Sequence, residues 1–386
     1  MSGQMNVDVL VVGSGAAGLS AAVTAALGGA SVLVAEKESV IGGTSAWSGG
    51  WLWIPRNPLA REEGIEEEPG APLAYLRHEM DGEPADARLL AFLQYGPEMI
   101  DFFRRRTAVQ FLSGSKMPDF HASPGAALGG RSVTAQPFDG RLLGDWLHRL
   151  RPPLETISLA GMGIAGGTDM AHFFNATRSP GSALYATRRL LRHGWQRLRA
   201  GRGQHLVNGN ALVARLLRSA LDAGVNFQLN APVERLLADN NGVAGAILRS
   251  DGGALKVRAG AVLLACGGFP HDRQRLAENV PHAASGYGHF SAAPPGNQGM
   301  AFGSAKRSAA SLIPHSGTPW PGRRCRALPS PADCSCRSRI WLSALSPALL
   351  PCCLTVNASP MKPTLIMILL PRCWTRRRRA KRRRRG

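Results

Sequence analysis

The chain has little that would place it in a membrane or send it out of the cell. Its most apolar late stretch, residues 340–371, is cut by prolines and never reaches the roughly 18 uninterrupted apolar residues of a membrane span. The amino-terminal MSGQMNVDVLVVG enters a predicted strand almost at once, which leaves no room for a charged and apolar export leader. A cytoplasmic protein without a membrane span is therefore the expectation.

Cysteine and acidic residues are scarce in different parts of the 386-residue chain. Cys266 is the single cysteine of residues 1–303, so no disulfide framework is predicted there. Residues 304–386 contain one acid, Asp333, against 18 Lys and Arg, whereas residues 1–303 contain 25 acids against 28 basic residues. The formal charge of +20 therefore resides almost wholly in the last 83 residues, and the composition changes near residue 304.

The opening stretch VDVLVVGSGAAGLSAAVTAALGGASVLVAEKE predicts a strand, a tight glycine turn, a helix and a second strand. Its glycines fit the GxGxxG pattern, in which the first permits the turn, the second admits a pyrophosphate and the third allows close packing. The start of the helix would then hold the phosphates, and the acid after the second strand would bind ribose hydroxyls. The predicted dinucleotide contacts here are Gly13, Gly15, Ala16, Ala17, Gly18, Glu36 and Lys37.

The next segment, IGGTSAWSGGWLWIP, is a loop of small residues that can lie flat against a ring system. Here the chain resembles the flavoprotein superfamily of fumarate reductase and succinate dehydrogenase, and within it the 3-ketosteroid dehydrogenase-like branch. The resemblance implies FAD as cofactor. Gly43 stands near the position of the histidine that joins FAD covalently in succinate dehydrogenases, so non-covalent FAD is implied. The implied FAD contacts are Gly43, Thr44, Ser45, Ser48, Gly49 and Gly50.

Residues 205–269 predict an amphipathic helix, a strand and a β-meander with turns at NNG and DGG, closed by an apolar strand that runs into ACGGF. In the family that this chain resembles, the equivalent segments surround the adenine half of FAD. Cys266 is expected to be a small buried residue beside the cofactor rather than a redox thiol. The implied contacts are Val233, Ala265, Gly267 and Gly268.

The middle of the chain contains a loop, MPDFHASPGAALGGRS, that again resembles the ketosteroid dehydrogenase branch. That branch implies a substrate-side tyrosine in this loop, but the chain has none there, which argues against steroid Δ1-dehydrogenation. His121 is a candidate polar group near the flavin, and the alternative is a loop histidine with structural partners. The arginines at 104–106 are expected to lie at a solvated helix end.

After residue 303 the family resemblance stops, and the codons permit a test for a reading-frame error. Joining the last base of one codon to the first two of the next turns Met361–Lys362 into glutamate. The same register turns Met367–Ile368 and Trp374–Thr375 into aspartate, Cys373–Trp374 into leucine and Trp320–Pro321 into alanine. Acids thus reappear where the written frame has almost none. These forced residues indicate that 304–386 is an out-of-frame and disordered tail.

The competing hypothesis is a selected basic tail. Arg376–Arg379 and Arg382–Arg385 would neutralise phosphates of nucleic acid or anionic membrane, with binding that weakens steeply with salt. The spacings Cys334/Cys336 and Cys352/Cys353 match no common zinc pattern, so no metal site is expected. Under the frame-error hypothesis no specific nucleic-acid partner is expected, and the partner is a small-molecule substrate.

These observations predict an α/β chain with a Rossmann-like FAD-binding domain, a helical insertion and a β-meander, and with a substrate domain that is missing or scrambled. The expected segments are an FAD-binding βαβ segment (1–54), a mostly helical insertion (55–200), a return to the FAD-binding domain with the β-meander (201–275), the start of a substrate domain (276–303) and the tail (304–386).

The resemblance implies an FAD-dependent oxidoreductase that moves a hydride between flavin and a carbon–carbon bond beside a carbonyl, in steroid-like or other enone substrates. We assign no catalytic residue from the sequence. Because the segments that would orient a substrate are not recognisable after residue 303, we expect little or no turnover by this chain. The alternative function is that of a flavin-fold binding protein whose basic tail contacts nucleic acid or anionic membrane.

Overall fold

A computed structural model describes residues 3–80, 82, 85–240, 242–250, 252–279, 291–299 and 354–355. The described residues divide into two compact units: the first contains those up to residue 44 and those from residue 225 onward, and the second contains residues 45–224. The expected scrambled substrate domain and disordered tail lie outside the described residues, apart from Leu354–Thr355. The segment boundaries drawn from the sequence stay predictions.

The helices and strands are numbered in chain order within the described ranges. The helices are α1 (Ala16–Leu27), α2 (Pro58–Glu62), α3 (Ala71–Glu79), α4 (Ala87–Arg106), α5 (Trp146–Arg149), α6 (Thr168–Phe174), α7 (Pro180–Ala200), α8 (Asn208–Asp222) and α9 (Arg273–Asn279). The strands are β1 (Gln4–Val12), β2 (Val32–Ala35), β3 (Trp51–Trp53), β4 (Phe111–Ser113), β5 (Ser132–Ala135), β6 (Phe138–Asp139), β7 (Ser158–Leu159), β8 (Met162–Gly163), β9 (His205–Leu206), β10 (Asn226–Gln228), β11 (Val233–Asp239), β12 (Gly242–Ser250), β13 (Gly253–Leu264) and β14 (Leu354–Thr355).

The first unit is built on a sheet whose described strands run in the order β10-β2-β1-β13-β12-β11, with β14 beside β13. The neighbouring strands β10, β2, β1 and β13 pair in parallel, as expected for a Rossmann-like fold. Strands β11, β12 and β13 form an antiparallel meander. Leu10, Leu33, Leu248 and Leu264 belong to one buried apolar cluster that runs across both parts of the sheet. The α/β fold and the β-meander predicted from the sequence are confirmed.

Helix α4 in the second unit packs through one apolar face. Asp86 caps its amino terminus by accepting hydrogen bonds from the amides of Arg88 and Leu89, both at 2.9 Å. The helix buries Leu93, Gly96, Ile100 and Phe103 along one face. Its carboxyl end carries Arg104, Arg105 and Arg106, of which Arg104 contacts Glu62 at 2.8 Å and Arg105 contacts Asp101 at 2.8 Å.

A buried ion network in the second unit fixes the GGRS loop against β3. The Arg131 side chain is 2% exposed and pairs with Glu67 and, at 2.5 Å, with Asp119. Asp119 also accepts a hydrogen bond from the indole Nε1 of Trp53 at 2.7 Å, and Arg131 donates to the carbonyl of Gly125 at 2.7 Å. Because several partners satisfy each buried charge, the loop has one well-defined position.

Within the part of the chain that the structure describes, no helix combines the length and the apolar character that crossing a bilayer requires.

Candidate cofactor site

The glycine turn after β1 has a shape that only glycine tolerates. Gly13 has φ +103°, and a Cβ added there would meet the carbonyl oxygen of Ala265 at 2.6 Å and Cα of Cys266 at 2.8 Å. The Gly13 amide donates to the carbonyl of Ala35 at 2.8 Å. The turn is therefore wedged between the carboxyl ends of β2 and β13, the edge where open α/β sheets bind ligands.

Helix α1 begins directly after this turn. Gly15 is the N-cap residue, no side chain caps the helix, and the first turn contains no acid. A Cβ on Gly18 would stand 3.0 Å from the carbonyl carbon of Gly13, so the helix packs directly on the turn. A helix start whose first turn contains no acid suits a pyrophosphate, and Ala16 and Ala17 add no bulk there.

Glu36 is buried at the carboxyl end of β2, where a ribose acceptor was predicted. It is 8% exposed, and its Oε2 accepts hydrogen bonds from the amide and hydroxyl of Ser14 at 3.0 and 2.6 Å. Its Oε1 accepts from the amide of Glu38 at 3.1 Å. A carboxylate offers about four lone-pair sites, and the described part of the chain occupies three of them, which leaves one for a ribose hydroxyl. The geometry fits the expected role and adds Ser14, which the sequence did not single out.

The segment 291–299 returns to the same edge of the first unit. Asn297 donates from Nδ2 to the Thr44 hydroxyl at 2.8 Å, and the Gly299 amide donates to the carbonyl of Gly268 at 3.2 Å. The ammonium of Lys37 donates a hydrogen bond to the carbonyl oxygen of Gly296. Thr44, Lys37 and Gly268 are thus brought together by residues 291–299, which lie in the stretch expected from the sequence to be only the start of a substrate domain.

The remaining predicted contacts of the first unit frame this edge. Gly267 has φ +75°, and a Cβ there would lie 3.3 Å from Nδ2 of Asn297, whereas a Cβ on Gly43 would meet nothing within 4 Å. The Ala265 amide donates to the carbonyl of Val12 at 2.8 Å. Val233 is buried in the apolar cluster of the sheet, whereas Cys266, which was expected to be buried, is half-buried and packs against that cluster.

In the second unit, the loop 45–50 is bound to the start of α8. The Gly209 amide donates to the carbonyl of Ser48 at 2.9 Å, and the Ser48 hydroxyl donates to the carbonyl of Ser45 at 2.8 Å. Gly50 has φ +71°, and a Cβ there would meet the carbonyl carbon of Asn208 at 2.5 Å. Gly49 lies between these contacts in the same loop. Glycine is required at positions 50 and 209 because two backbone segments touch there.

Asn210 is a buried amide with one oxygen left over. The residue is 4% exposed, and its Nδ2 donates to the carbonyl of Ala46 at 2.8 Å, but its Oδ1 has no hydrogen-bond partner among the residues that the structure describes. An unsatisfied buried acceptor costs about 1–3 kcal/mol, so a donor from a bound group, such as a ribityl hydroxyl, would stabilise it. Asn210 also lines a cavity of about 460 Å³ in this unit, and none of the predicted FAD contacts lines that cavity. In the first unit, the glycine turn, the start of α1 and Glu36 fit FAD.

His121 has structural partners, as expected under the alternative that it is a loop histidine rather than a polar group near the flavin. Its Nδ1 lies 2.5 Å from Oε2 of Glu79, and the Ser123 hydroxyl donates to Oε1 of the same carboxylate at 2.6 Å. Burial raises the pKa of Glu79, but the hydrogen bonds from Ser123 and His121 outweigh it and hold that pKa below its ordinary value. The contacts tie the loop of His121 to the carboxyl end of α3.

A family profile described as an FAD binding domain matches residues 8–320. The chain belongs to this family. FAD is therefore its cofactor, as the sequence predicted. The profile covers all of the predicted cofactor contacts, from Gly13 to Gly268.

Individual relatives lie in the same superfamily. The chain is 39% identical over 286 residues to the 4-oxocyclohex-2-ene-1-carboxylate 5-dehydrogenase of Sinomonas cyclohexanicum, covering 73% of this chain and 48% of the relative. It is similar to the crystal structure of the 3-ketosteroid Δ1-dehydrogenase of Sterolibacterium denitrificans in complex with 1,4-androstadiene-3,17-dione, with a TM-score of 0.69, 34% identity and coverage of 78% and 54%. A flavocytochrome c3 fumarate reductase shares the fold, with a TM-score of 0.51, 17% identity and coverage of 78% and 40%. The chain thus spans about half the length of these relatives.

Proposed function

We propose that the chain is the FAD-binding part of an oxidoreductase that moves a hydride between the flavin and a carbon–carbon bond beside a ring carbonyl. The observation that carries the proposal is the uncapped start of α1 next to the buried carboxylate of Glu36. The two dehydrogenases named above, from Sinomonas cyclohexanicum and Sterolibacterium denitrificans, act on or bind cyclic ketones, which supports a substrate of that class. FAD, when bound, supplies the hydride acceptor or donor.

The chain's own residues would hold and orient the cofactor. The α1 amides would face the pyrophosphate, and the remaining acceptor site of Glu36 would bind a ribose hydroxyl. Asn210 would accept a hydrogen bond through Oδ1, because that oxygen is buried without a partner. Gly43 offers no side chain that would form a covalent bond to the flavin, so we propose non-covalent FAD. We assign no proton donor or acceptor among the described residues.

We also propose that this chain turns over slowly or not at all. Its loop 117–121 contains no tyrosine, and His121 is engaged with Glu79. The family match ends at residue 320. The composition changes near residue 304, and the first residue forced by the alternative frame is at Trp320–Pro321. Sequencing the gene across codons 303–320 tests the frame error, which requires a one- or two-base insertion or deletion that restores a family-like downstream frame.

The alternative function, a flavin-fold protein with a basic binding tail, depends on residues 304–386. These residues lie outside the described part of the chain, apart from two residues of β14. Deleting 304–386 tests this alternative: it requires the loss of a salt-sensitive nucleic-acid affinity that has sequence preference. Any tail with 18 basic residues and one acid would bind nucleic acid without sequence preference, so such an affinity would not support the alternative.

The cofactor proposal is tested by titrating FAD into the purified chain and into its Glu36→Gln variant. We expect about a tenfold weaker affinity, because the amide replaces one acceptor oxygen with a donor, and tenfold corresponds to about 1.4 kcal/mol. Glu234→Gln is the matched control, since Glu234 is exposed on β11 and pairs with Arg249 at 3.0 Å. Equal affinity of the Glu36→Gln variant and the parent contradicts the assignment of Glu36.

Substrate class is tested separately, on the FAD-loaded chain under anaerobic conditions. Loss of the absorbance of oxidised flavin on adding 4-oxocyclohexanecarboxylate or a 3-oxosteroid would show that the chain retains turnover. An unchanged spectrum with both compounds, in a sample that binds FAD, is the result that impaired turnover predicts.

A further inference from the structure

The cavity of about 460 Å³ in the second unit is bordered by the carboxyl-terminal part of α7, by β9 and by the start of α8. Part of its wall is apolar, because Met162, Leu206 and Val207 line it and are buried. Four of its lining residues are glycines, which add no side chain to the space. Cavities of roughly 300–1,000 Å³ with mostly apolar walls are typical of small-molecule sites.

Arg202 lines this cavity with one edge of its guanidinium unused. Its Nη1 donates to the carbonyls of Leu147 and Leu150, both at 2.6 Å, at the carboxyl end of α5. These two bonds use both hydrogens of Nη1, and within the described part of the chain no acceptor is bound to Nε or Nη2. The guanidinium is therefore held in place through one nitrogen. It keeps the edge that binds a carboxylate through two parallel hydrogen bonds.

The charge of Arg202 also lacks a carboxylate partner among the described residues. Burial lowers the pKa of its guanidinium, as it does for Arg215. The two arginines differ in their partners, since all three nitrogens of Arg215 donate to the carbonyls of Gln136, Ala108 and Pro137 at 2.7–2.9 Å. The backbone thus satisfies Arg215 fully, whereas Arg202 leaves a cationic edge for a bound anion.

The other charged residues of the lining favour an anion as well. Exposed Arg197 adds a second guanidinium and donates to the carbonyl of Ala160 at 3.0 Å. Buried His193 donates from Nε2 to the same carbonyl at 3.1 Å. Glu155 is the single carboxylate among the lining residues, and it is exposed. The lining therefore has two guanidinium groups against one carboxylate.

The apolar wall distinguishes between kinds of anion. Phosphate would bring up to two charges and several oxygens into a space where one guanidinium edge is available, and unpaired charge in apolar surroundings is costly. A carboxylate needs only the two parallel donors of that edge. An apolar body attached to the carboxylate would be buried against the apolar residues of the wall.

We propose that this cavity is a binding site for a small organic carboxylate with a compact apolar body. Nε and Nη2 of Arg202 hold its carboxylate, and Met162, Leu206 and Val207 contact its apolar part. The inference goes beyond the proposed oxidoreductase function, because the lining contains none of the FAD contacts predicted from the sequence. Asn210, which we assign to FAD, also lies in the wall, so binding is measured with and without saturating FAD.

The test is calorimetric titration of the full chain with cyclohexanecarboxylate and with cyclohexanecarboxamide, which has nearly the same shape and no charge. We expect the carboxylate to saturate at a single ligand per chain and the amide to bind at least about tenfold more weakly, because it loses the charge-assisted pair of hydrogen bonds. Non-specific attraction to residues 304–386 would not saturate at this ratio. Inorganic phosphate should bind more weakly than cyclohexanecarboxylate.

Two variants locate the site within the chain. Arg202→Met should weaken carboxylate binding at least about tenfold, whereas the matched Arg188→Met, which removes the same charge from an exposed position outside the lining, should bind like the parent. Ser158→Trp places a large side chain in the lining and leaves Arg202 intact, so it should weaken the carboxylate and the amide alike. If Arg202→Met does not fold, the amide and Ser158→Trp decide the question.

Five results would overturn the proposal. The first is a parent chain without saturable carboxylate binding, and the second is an amide that binds as well as the carboxylate. The third is a folded Arg202→Met, or a folded Ser158→Trp, with unchanged affinity. The fourth is phosphate that binds as tightly as the carboxylate, which would mean that charge alone is recognised. The fifth is loss of carboxylate binding when FAD is added, which would mean that the cavity belongs to the cofactor site.

Discussion

Replacing Arg131 with methionine should destabilise the second unit strongly and weaken the FAD site with it. The guanidinium is buried and pairs with Glu67 and Asp119, whose side chains are 12% and 2% exposed. Methionine keeps much of the volume but leaves two buried carboxylates without a cation. Removing one partner of a buried ion pair costs about 3–5 kcal/mol, a large part of the roughly 5–15 kcal/mol that stabilises a domain.

The effect should reach the cofactor loop through β3. Asp119 holds the indole of Trp53, and β3 follows directly on the loop that ends at Gly50. Loss of Arg131 therefore releases the strand that holds this loop, and FAD affinity should fall in the folded variant as well.

The assay is urea unfolding followed by far-ultraviolet circular dichroism, with FAD titration on the folded fraction. Arg141→Met is the matched control, since Arg141 pairs with Asp139 at the surface, with side chains 67% and 37% exposed, and such pairs contribute about 0–1 kcal/mol. Equal unfolding midpoints for the two variants would refute the reasoning that burial makes the Arg131 network stabilising.

Three further outcomes follow from the structure. Gly13→Ala should cost more than about 2 kcal/mol in thermal unfolding because its Cβ meets backbone atoms, whereas Gly194→Ala, in open space within α7, should be neutral or stabilising by up to about 1 kcal/mol. The pKa of Glu79 is lowered, so the stability that its carboxylate contributes is complete above the ordinary pKa of 4.5 and is lost as the pH falls. The difference in unfolding free energy between the parent and Glu79→Gln should therefore disappear in acid titrations, and a constant difference would contradict this. Asp86→Ala removes the cap of α4 and should cost about 1 kcal/mol, measured by chemical unfolding; no change would mean that the cap is redundant.

The elements of the first unit could be predicted because their signals are local. Gly13 and Gly18 stand five residues apart, and the turn that they form needs only the strand before it and the helix after it. The β-meander is equally local, since each of its strands pairs with the next one along the chain. In both cases, hydrophobic periodicity and turn residues are sufficient to predict the elements.

The contacts that complete the site depend on pairings that no local pattern contains. Asn297 and Thr44 are 253 residues apart, and Asn210 and Ala46 are 164 apart. A lone asparagine is common in loops and helix starts, so neither residue stood out. Ser14 is the exception: its place inside GxGxxG, next to the turn, was a usable signal for a partner of the acid that follows β2.

The most direct test of the central claim is the stoichiometry of FAD on the purified full chain, compared with a Gly15→Asp variant. The carboxylate of that variant would stand at the start of α1, where the pyrophosphate is expected, and would repel it through charge. We predict that the parent retains a single FAD per chain through gel filtration and that the variant, equally folded by circular dichroism, elutes without flavin. A parent that binds no FAD after reconstitution, or a variant that retains it, would contradict the account.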